Sequence, residues 1–315
     1  MSYYNLSGEE SEEESDESDQ EQDLSAGDNA GLWGRMIVHL DVDCFYCQCE
    51  EIDGPPSYRQ RPLAIGQKHI IVTSNYIARQ HGVKKLQSRD AAYIACPNLL
   101  ILEGSDLENY RKHSRKIHLA FRDGLKRLAK EAKVNVQVRK GGMDESFADI
   151  TELVHNQKRQ LQLPPNTFIY GDSPSRKSTI VEDQSGATVA VQHQSYIASS
   201  DDNVHAQYGT MHTRQECQQR LHTAAALCEQ VRHEIKLKTR FTTTMGISIS
   251  RMLSKLTSDL QKPDSLNVLY PWRSGSILLP MPLRKIPELG HSTLRLLKEC
   301  LKNHHVAEPT FWTCQ

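Results

Sequence analysis

The chain has 315 residues and a formal net charge of -1, with 38 lysine and arginine residues against 39 aspartate and glutamate residues. This length favours two or three small subdomains, and no apolar run is long enough for a transmembrane helix, so we expect no membrane partner. The eight cysteines follow no signal peptide and form no framework of a short secreted chain, which is typical of reduced thiols.

The charge is unevenly distributed along the chain. Residues 1–35 contain eleven acidic residues and one basic residue, a net charge of -10, which leaves +9 for the remainder because the total is -1. A segment so acidic and so poor in apolar residues predicts a disordered tail. The basic remainder suits a polyanionic partner such as nucleic acid, although a solvated surface gives a similar count.

Secondary structure is predicted from Met36 onward. The run "MIVHLDVDCFY" predicts a buried strand that ends in two aspartates. Three short apolar runs within 58–103 predict strands, and a short helix capped by Asn75 and ended by Gly82 lies between the last two. Apolar residues at helical spacing predict a long helix over 107–133, and "VNVQV" and "GGMDESFADIT" predict a strand pair after it.

The remaining half alternates between helix and strand after a polar interruption. Residues 155–211 are rich in Gln, Ser, Thr, Asn, Asp and Pro, which predicts a disordered insertion. A helix then begins at a capping box of Thr213 and Glu216, followed by the strand "FTTTMGISIS", a helix stopped by Pro263 and the strand "LNVLYP". This order predicts an α/β (α+β) fold with a split β-α-β sheet, rather than a sandwich or a bundle.

Two acidic motifs about a hundred residues apart form the main candidate site. "HLDVD" supplies Asp41 and "GMDES" supplies Asp144 and Glu145, each at a predicted strand end or turn. Crowded carboxylates raise each other's pKa unless a cation compensates them, and Mg²⁺ prefers such oxygen ligands. Asp43 is expected on the same strand face as Asp41, as a ligand or as a supporting carboxylate. The alternative is that both motifs simply end strands at the surface.

A tyrosine and an arginine follow in "TSNYIARQHG". Tyr76 and Arg79 are three residues apart, so on a helix they share one face. Arginine binds phosphate oxygens through two parallel hydrogen bonds. This pair is therefore a candidate clamp for a triphosphate.

Parts of these motifs also fit two other kinds of site. "DVD" at a strand end also opens the haloacid-dehalogenase phosphatases, but those require Thr or Val where this chain has Phe45. Cys44, Cys47 and Cys49 form a cluster without a second pair at zinc-finger spacing. Packing of these thiols is the favoured interpretation.

Five segments, taken in order, resemble the palm and fingers of the Y-family DNA polymerases. They are "IVHLDVDCFYCQCE", "RPLAIGQKHIIVTSNYIARQHGVKKL", "CPNLLILEGSDLENYR", "GMDESFADIT" and "MGISISRMLSKLTSDLQKPDSLNVL", and together they cover most of residues 36–270. The stretches "GQKHIIVTSNY" and "RDAAYIACP" are most similar to one branch of that family.

The resemblance implies a division of the chain and an activity. The palm would comprise residues 36–44 and 106–272, the fingers residues 45–105, and a partial thumb residues 273–315. The implied activity is template-directed DNA synthesis of low fidelity in translesion synthesis, by two-metal nucleotidyl transfer from a dNTP to a primer 3′-hydroxyl. A catalytically weak or inactive short form that acts as a binding or regulatory protein is the alternative.

The resemblance also implies roles for individual residues. Two Mg²⁺ or Mn²⁺ ions would be held by Asp41, Asp144, Glu145 and the backbone carbonyl of Val42. The triphosphate would be held by backbone groups of Cys44 and Phe45 and by the side chains of Thr73, Tyr76, Arg79 and Lys262. Tyr46 would be the steric gate against ribonucleotides, and the templating base would meet Gln67, Lys68 and Ile70, where Ile70 replaces the usual Leu.

The sequence departs from the family near its C-terminus. "LPMPLRKIPELGHSTLRLLKECL" resembles a helix-hairpin-helix, but Glu288 replaces the first glycine of Pro-Gly-x-Gly and only Gly290 remains. An acid at that turn would face phosphate, and a little-finger domain is missing, so we expect weaker DNA binding. Expected partners are primer-template DNA and dNTP, with replication-clamp and ubiquitin-dependent partners in a full-length form, and the expected location is the nucleus.

Overall fold

Two β-sheets organise the part of the chain that the structure, a computed structural model, describes. The described residues are 34–105, 107–157, 161, 163–165, 167–170, 214–278, 281–287 and 289–303. Residues 1–33 of the predicted acidic tail, Thr213 of the predicted capping box and Glu288 lie outside them. The prediction of disorder is wrong for the last two residues of the tail, since Gly34 is buried and Arg35 pairs with Asp149 at 3.0 Å. Nearly all of the predicted insertion, from 171 to 211, also lies outside them.

The larger sheet has six strands in the order β5-β6-β1-β8-β9-β7. Their bounds are β1 Ile37–Val42, β5 Gln137–Lys140, β6 Glu145–Asp149, β7 Thr167–Tyr170, β8 Thr243–Ser248 and β9 Leu266–Leu269. β1 lies between β6 and β8 and is antiparallel to both, whereas β8, β9 and β7 run parallel to one another. A central strand must be buried on both faces, which explains the nearly continuous apolar run of β1.

Long helices cover one face of this sheet, because their apolar residues recur at helical spacing. α4 spans Glu108–Ala132 and α6 spans Arg214–Thr239. The predicted apolar face of α6 is fully buried; Leu221, Ala225, Cys228, Val231 and Ile235 are each 0% exposed. Alternate residues of β1 and β8 pack with both helices in the main hydrophobic core.

The short helix α7, at Arg251–Ser258, covers the opposite face of the sheet. Its N-terminus is capped by Ser250, whose hydroxyl oxygen accepts a hydrogen bond from the backbone N–H of Leu253. Gly246 of β8 allows the close approach, since a Cβ there would lie 2.1 Å from the carbonyl oxygen of Ser254 and 2.4 Å from the amide nitrogen of Ser258. The β8-α7-β9 order is the predicted β-α-β unit.

The smaller sheet has three strands and its own small core. Its order is β3-β2-β4, with β2 at Leu63–Gln67, β3 at Ile70–Ser74 and β4 at Leu100–Glu103. The short helices α2 at Tyr76–Gln80 and α3 at Arg89–Ala95 contribute buried side chains to that core. This sheet lies within residues 45–105, and the assignment of that range as fingers stays a prediction.

Four further α-helices lie in the described ranges, together with 3-10 helices at Pro56–Gln60, Pro271–Arg273 and Leu283–Lys285. The four α-helices are α1 Phe45–Asp53, α5 Thr151–His155, α8 Ser274–Leu278 and α9 His291–Asn303. None of the helices in the described residues is long and apolar enough to cross a membrane. α9 begins directly after Gly290, while the assignment of residues 273–315 as a partial thumb stays a prediction.

The mixed α/β fold class is confirmed, and so are most of the predicted elements. Asn75 caps α2 as predicted, because its side-chain oxygen accepts a hydrogen bond from the backbone N–H of Ala78. The prediction that Pro263 stops α7 is wrong, since the helix already ends at Ser258 and a turn follows. Pro263 therefore lies in the segment that connects α7 to β9.

The expectation of a largely disordered insertion at 155–211 is wrong for residues 167–170. These four residues form β7, whose partner is β9 at the edge of the large sheet. A run of four apolar or β-branched residues is too short to be distinguished from a loop by periodicity alone. The strand forms because β9 offers it a parallel partner.

The packing of α7 on Gly246 leads to a stability prediction. Gly246→Ala should lower the free energy of unfolding by about 3 kcal/mol, because the new methyl group would meet backbone atoms that cannot rotate away. Thermal unfolding followed by circular dichroism measures the change. The control is Gly275→Ala in α8, where nothing lies within 4 Å of the added carbon; an equal loss in both variants would contradict the close approach.

Candidate metal and nucleotide site

Strand pairing places two of the predicted carboxylates opposite each other. In the antiparallel β1–β6 pair, Asp41 lies directly across from Glu145. The turn before β6 is bonded to the end of β1, since the N–H of Val42 donates to the carbonyl oxygen of Asp144 at 2.8 Å. Directly opposed side chains on paired strands are close neighbours on one face of the sheet. The register therefore brings the two distant sequence motifs into one site.

Glu145 is held by two nitrogen groups. Its Oε2 accepts a hydrogen bond from Lys255 Nζ at 2.7 Å and lies 3.0 Å from His39 Nε2. The His39 contact and the Lys255 ammonium outweigh the cost of burial and lower the pKa of Glu145 to about 2. Glu145 is therefore ionised at any physiological pH.

His39 is itself fixed from the other side of its ring. Its Nδ1 lies 2.7 Å from the hydroxyl oxygen of Ser258, at the end of α7, and the ring is 1% exposed. The ring also packs on Phe147, with centroids 4.5 Å apart. α7 thus supports Glu145 twice, through Lys255 directly and through Ser258 and His39.

Asp41 is in a different electrostatic position. Burial favours its neutral form and raises its pKa to about 6, against the ion pair with Lys262, while the charge of Asp144 raises it further. Lys262 Nζ donates to Oδ1 of Asp41 at 2.7 Å. A buried carboxylate with a raised pKa is stabilised in its charged form by any cation that approaches it.

Three side chains of the site can hold a metal ion together. Ligand atoms of His39, Asp41 and Glu145 all lie within 4.8 Å of one another. The donor set fits a divalent cation, because two carboxylates face each other across paired strands. Asp144 is not part of this group, although its charge acts on both Asp41 and Tyr46.

Asp43, which the sequence left open as a ligand or a support, is engaged by protein donors. Its Oδ1 accepts a hydrogen bond from Thr244 Oγ1 at 2.7 Å, and its Oδ2 accepts one from the backbone N–H of Asp264 at 2.8 Å. The residue is 1% exposed. Asp43 is therefore a supporting carboxylate rather than an open ligand.

The predicted sugar and phosphate contacts begin directly after β1. Cys44 adopts the left-handed conformation, with φ 36°, and starts α1. Phe45 is 3% exposed and packs in the main core. Tyr46 is half-buried, and its ring lies 4.6 Å from the ring of Tyr110 on α4. The turn at Cys44 thus places Tyr46 beside the carboxylates.

The predicted face shared by Tyr76 and Arg79 is confirmed. The Arg79 guanidinium lies over the Tyr76 ring, 4.7 Å from its centre. Its Nε also donates to the carbonyl oxygen of Ser74 at 2.9 Å, which orients the side chain. The Tyr76 hydroxyl reaches Oδ1 of Asp43 at 3.5 Å, and Thr73 lies half-buried on β3 nearby in sequence. α2 is therefore connected to the carboxylate strand.

The predicted template-base residues lie at the tip of the β2–β3 hairpin. Gln67 and Ile70 are paired across a two-residue turn, in which Lys68 has φ 52°. Gln67 Nε2 donates to the carbonyl oxygen of Gly104 at 2.5 Å. Ile70 is 40% exposed, so its side chain is open to solvent at the hairpin tip.

The sequence analysis missed His39 and Lys255. His39 precedes Asp41 by two residues, so the alternation of strand side chains places both on one face. That periodicity could have identified it. Lys255 had no comparable pattern, because its contact with Glu145 depends on how α7 crosses the sheet.

The sequence matches the impB/mucB/samB family over residues 40–259, which is more than half of the chain. The chain belongs to this family, the Y-family polymerase group that the resemblance indicated.

Its curated relatives include DNA polymerase iota of Mus musculus, 30% identical over 84% of this chain and 31% of the relative. DNA polymerase iota of Homo sapiens is 29% identical over 84% of this chain and 30% of its own length. DNA polymerase eta of Drosophila melanogaster is 28% identical over 82% of this chain and 30% of its own length. The branch indicated by the sequence segments is the iota branch, and the chain spans about a third of these relatives.

The family and the buried groups decide the two competing interpretations. The haloacid-dehalogenase alternative is wrong, because the chain matches the impB/mucB/samB family over residues 40–259, a range that includes the "DVD" motif. Cys47 and Cys49 are each 0% exposed, and burial raises the pKa of both thiols. Packing thiols, as favoured from the sequence, account for this cluster.

The facing carboxylates lead to a prediction about cations. Adding Mg²⁺ or Mn²⁺ should raise the thermal unfolding temperature, since a ligand of the folded state stabilises it by about 2.7 kcal/mol at 100 times its Kd. Glu145→Ala should remove this shift, because one of the two facing carboxylates is lost. Differential scanning calorimetry with and without cation measures it.

The control for the cation experiment is Asp123→Ala on α4, which removes an exposed acid that pairs with Arg122. This variant should keep the full shift. An equal cation effect in Glu145→Ala would contradict a site at these carboxylates.

Proposed function

We propose that this chain carries out template-directed DNA synthesis of low fidelity, in translesion synthesis, as its polymerase relatives suggest by name. The observation that supports this most is the pairing of Asp41 with Glu145 across two strands, with Lys262 at 2.7 Å from Asp41. Carboxylates that can bind a metal ion therefore lie beside a lysine whose ammonium can bind a phosphate. Nucleotidyl transfer requires both.

The carboxylates are proposed to hold two Mg²⁺ or Mn²⁺ ions. Asp41, Asp144 and Glu145 would supply side-chain oxygens, and Val42 would supply its backbone carbonyl. When bound, these ions lower the pKa of the primer 3′-hydroxyl and neutralise the charge of the leaving pyrophosphate. The role of the protein is to keep the oxygens crowded and ionised, which Lys255 and His39 do for Glu145.

The triphosphate is proposed to lie between the carboxylate strand and α2. Lys262, Arg79, Tyr76 and Thr73 would contact it through side chains, and Cys44 and Phe45 through backbone groups. Arg79 is already oriented by Ser74 and by the Tyr76 ring, so little side-chain entropy remains to be lost on binding. Cationic side chains that are already in place stabilise the negative charge that develops on the phosphates during transfer.

Two further contacts would determine which nucleotide is accepted. The Tyr46 ring would exclude a ribose 2′-hydroxyl, and its position is supported by the packed ring of Tyr110. Gln67, Lys68 and Ile70 would border the templating base from the hairpin tip. The hydrogen bond from Gln67 to Gly104 supports a fixed hairpin conformation.

Primer-template DNA and dNTP are the proposed substrates, as the names of the polymerase relatives suggest, and the nucleus is the proposed location. Replication-clamp and ubiquitin-dependent partners are proposed for a longer form. Fingers, palm and partial thumb are proposed with the bounds given above. A chain that binds nucleotide but does not extend a primer would favour the regulatory alternative.

Primer extension tests the central proposal. The chain should extend a primed template with Mg²⁺ or Mn²⁺, and Asp41→Ala should slow single-turnover incorporation roughly a thousandfold, or about 4 kcal/mol, because a ligand for the transferring phosphate is lost. Asp123→Ala serves as the matched control and should extend normally. Extension that survives Asp41→Ala would contradict the assignment.

Sugar selection tests the role of Tyr46 separately. Tyr46→Ala should raise the incorporation of rNTP relative to dNTP by roughly 10- to 100-fold, because the ring no longer fills the space of the 2′-hydroxyl. The ratio of kcat/KM for the two nucleotides is the measurement. Tyr93→Ala, which removes a tyrosine that is 44% exposed on α3, should leave the ratio unchanged.

A further inference from the structure

Asp43 is a buried carboxylate that the proposed chemistry does not use. It follows β1 directly, is 1% exposed, and lies two residues after Asp41. Burial raises its pKa, although hydrogen bonds from neighbouring groups oppose this effect. Burying an ionisable group is costly, so a buried carboxylate calls for an explanation in its contacts.

The contacts of Asp43 come from three separate elements. Thr244 Oγ1 on β8 donates to Oδ1 at 2.7 Å, and the Tyr76 hydroxyl at the start of α2 lies 3.5 Å from the same oxygen. The backbone N–H of Asp264 donates to Oδ2 at 2.8 Å. Both oxygens therefore accept hydrogen bonds from protein groups, and Tyr76 and Asp264 belong to segments that carry proposed triphosphate contacts.

The contact with Asp264 fixes the turn that carries Lys262. The carboxylate of Asp264 forms ion pairs with Arg232 and with Lys236, the latter at 2.6 Å, both on α6. Its backbone adopts φ 51°, a conformation that few residues other than glycine adopt readily. The turn is thus held from α6 through the side chain of Asp264 and from β1 through its backbone N–H.

Lys262 lies two residues before Asp264 and depends on this turn for its direction. Its ammonium donates to Asp41 at 2.7 Å and lies 2.9 Å from Asp259. A shift of the turn would move the ammonium relative to the phosphates it is proposed to contact. Such a shift would weaken the contact between the ammonium and the bound nucleotide.

We propose that Asp43 is a positioning residue for the nucleotide triphosphate, which aligns Lys262 through the backbone of Asp264 and Tyr76 through its hydroxyl, without binding metal. The proposal rests on the proposed function of Lys262 and Tyr76. A purely structural role would affect stability alone. A positioning role changes nucleotide affinity while the cation dependence stays the same.

Asp43→Asn in the 315-residue chain is the direct test. Asparagine keeps the size of the side chain and one acceptor oxygen. Its NH₂ group replaces the other oxygen and cannot accept a hydrogen bond, so the donors to one of the two carboxylate oxygens lose their partner. The affinity for a fluorescent dNTP analogue, and 1/KM in primer extension, should fall about tenfold, while kcat changes little. The half-saturating Mg²⁺ concentration should not change. Asp123→Asn is the matched control, and it should alter neither quantity.

A double-mutant cycle tests the route through Lys262. Lys262→Ala should weaken nucleotide binding by itself, and the double variant Asp43→Asn/Lys262→Ala should lose little more, because the positioned group is already absent. Fully additive losses would overturn the route through Lys262. A shift in half-saturating Mg²⁺ in Asp43→Asn, or an unchanged nucleotide affinity, would overturn the proposal itself.

A second variant covers the case in which Asp43→Asn does not fold. Thr244→Val keeps the shape of the buried side chain and removes only one donor to Asp43, so a smaller loss of nucleotide affinity is expected at unchanged Mg²⁺ dependence. No loss in that folded variant would overturn the proposal. If Lys262→Ala leaves nucleotide affinity unchanged, the proposed contact between Lys262 and the triphosphate is wrong. If Lys262→Ala weakens binding but Asp43→Asn and Thr244→Val do not, only the positioning role of Asp43 is wrong.

Discussion

The repulsion between two acids placed opposite each other on paired strands is the constraint on which the site depends. Asp41 and Glu145 face each other in the β1–β6 register, and Asp144 adds a third charge beside them. Like charges on directly opposed residues of a partly buried site repel each other. The fold offsets this cost with Lys255, His39 and Lys262, and a bound cation would offset it further.

The compensating groups explain the arrangement around the larger sheet. α7 lies close to β8 at Gly246, and this short distance brings Lys255 and Ser258 to the carboxylate strand. Beyond α7 the chain turns back and presents Lys262 to Asp41. The packing of α7 on β8 and the charge balance of the site therefore depend on each other, because a shift of α7 would also move Lys255 and Ser258.

Local patterns predicted much of the fold and part of the site. The periodicity of α4 and α6, the cap at Asn75 and the alternation of strands and helices are properties of neighbouring residues, and the structure has them. The acidic motifs identified Asp41, Asp144 and Glu145. Contacts that depend on tertiary geometry could not be predicted, as in the link from Ser258 through His39 to Glu145 and in the pairing of β7 with β9.

The position of β7 affects how this protein can vary. β7 forms one edge of the larger sheet, with β9 and β8 between it and β1, and the chain resumes in the described residues at α6. A substitution that disturbs β7 therefore meets β9 first and reaches β1 only through β8. Sequence change at this edge can accumulate while the β1–β6 register that opposes Asp41 and Glu145 stays the same.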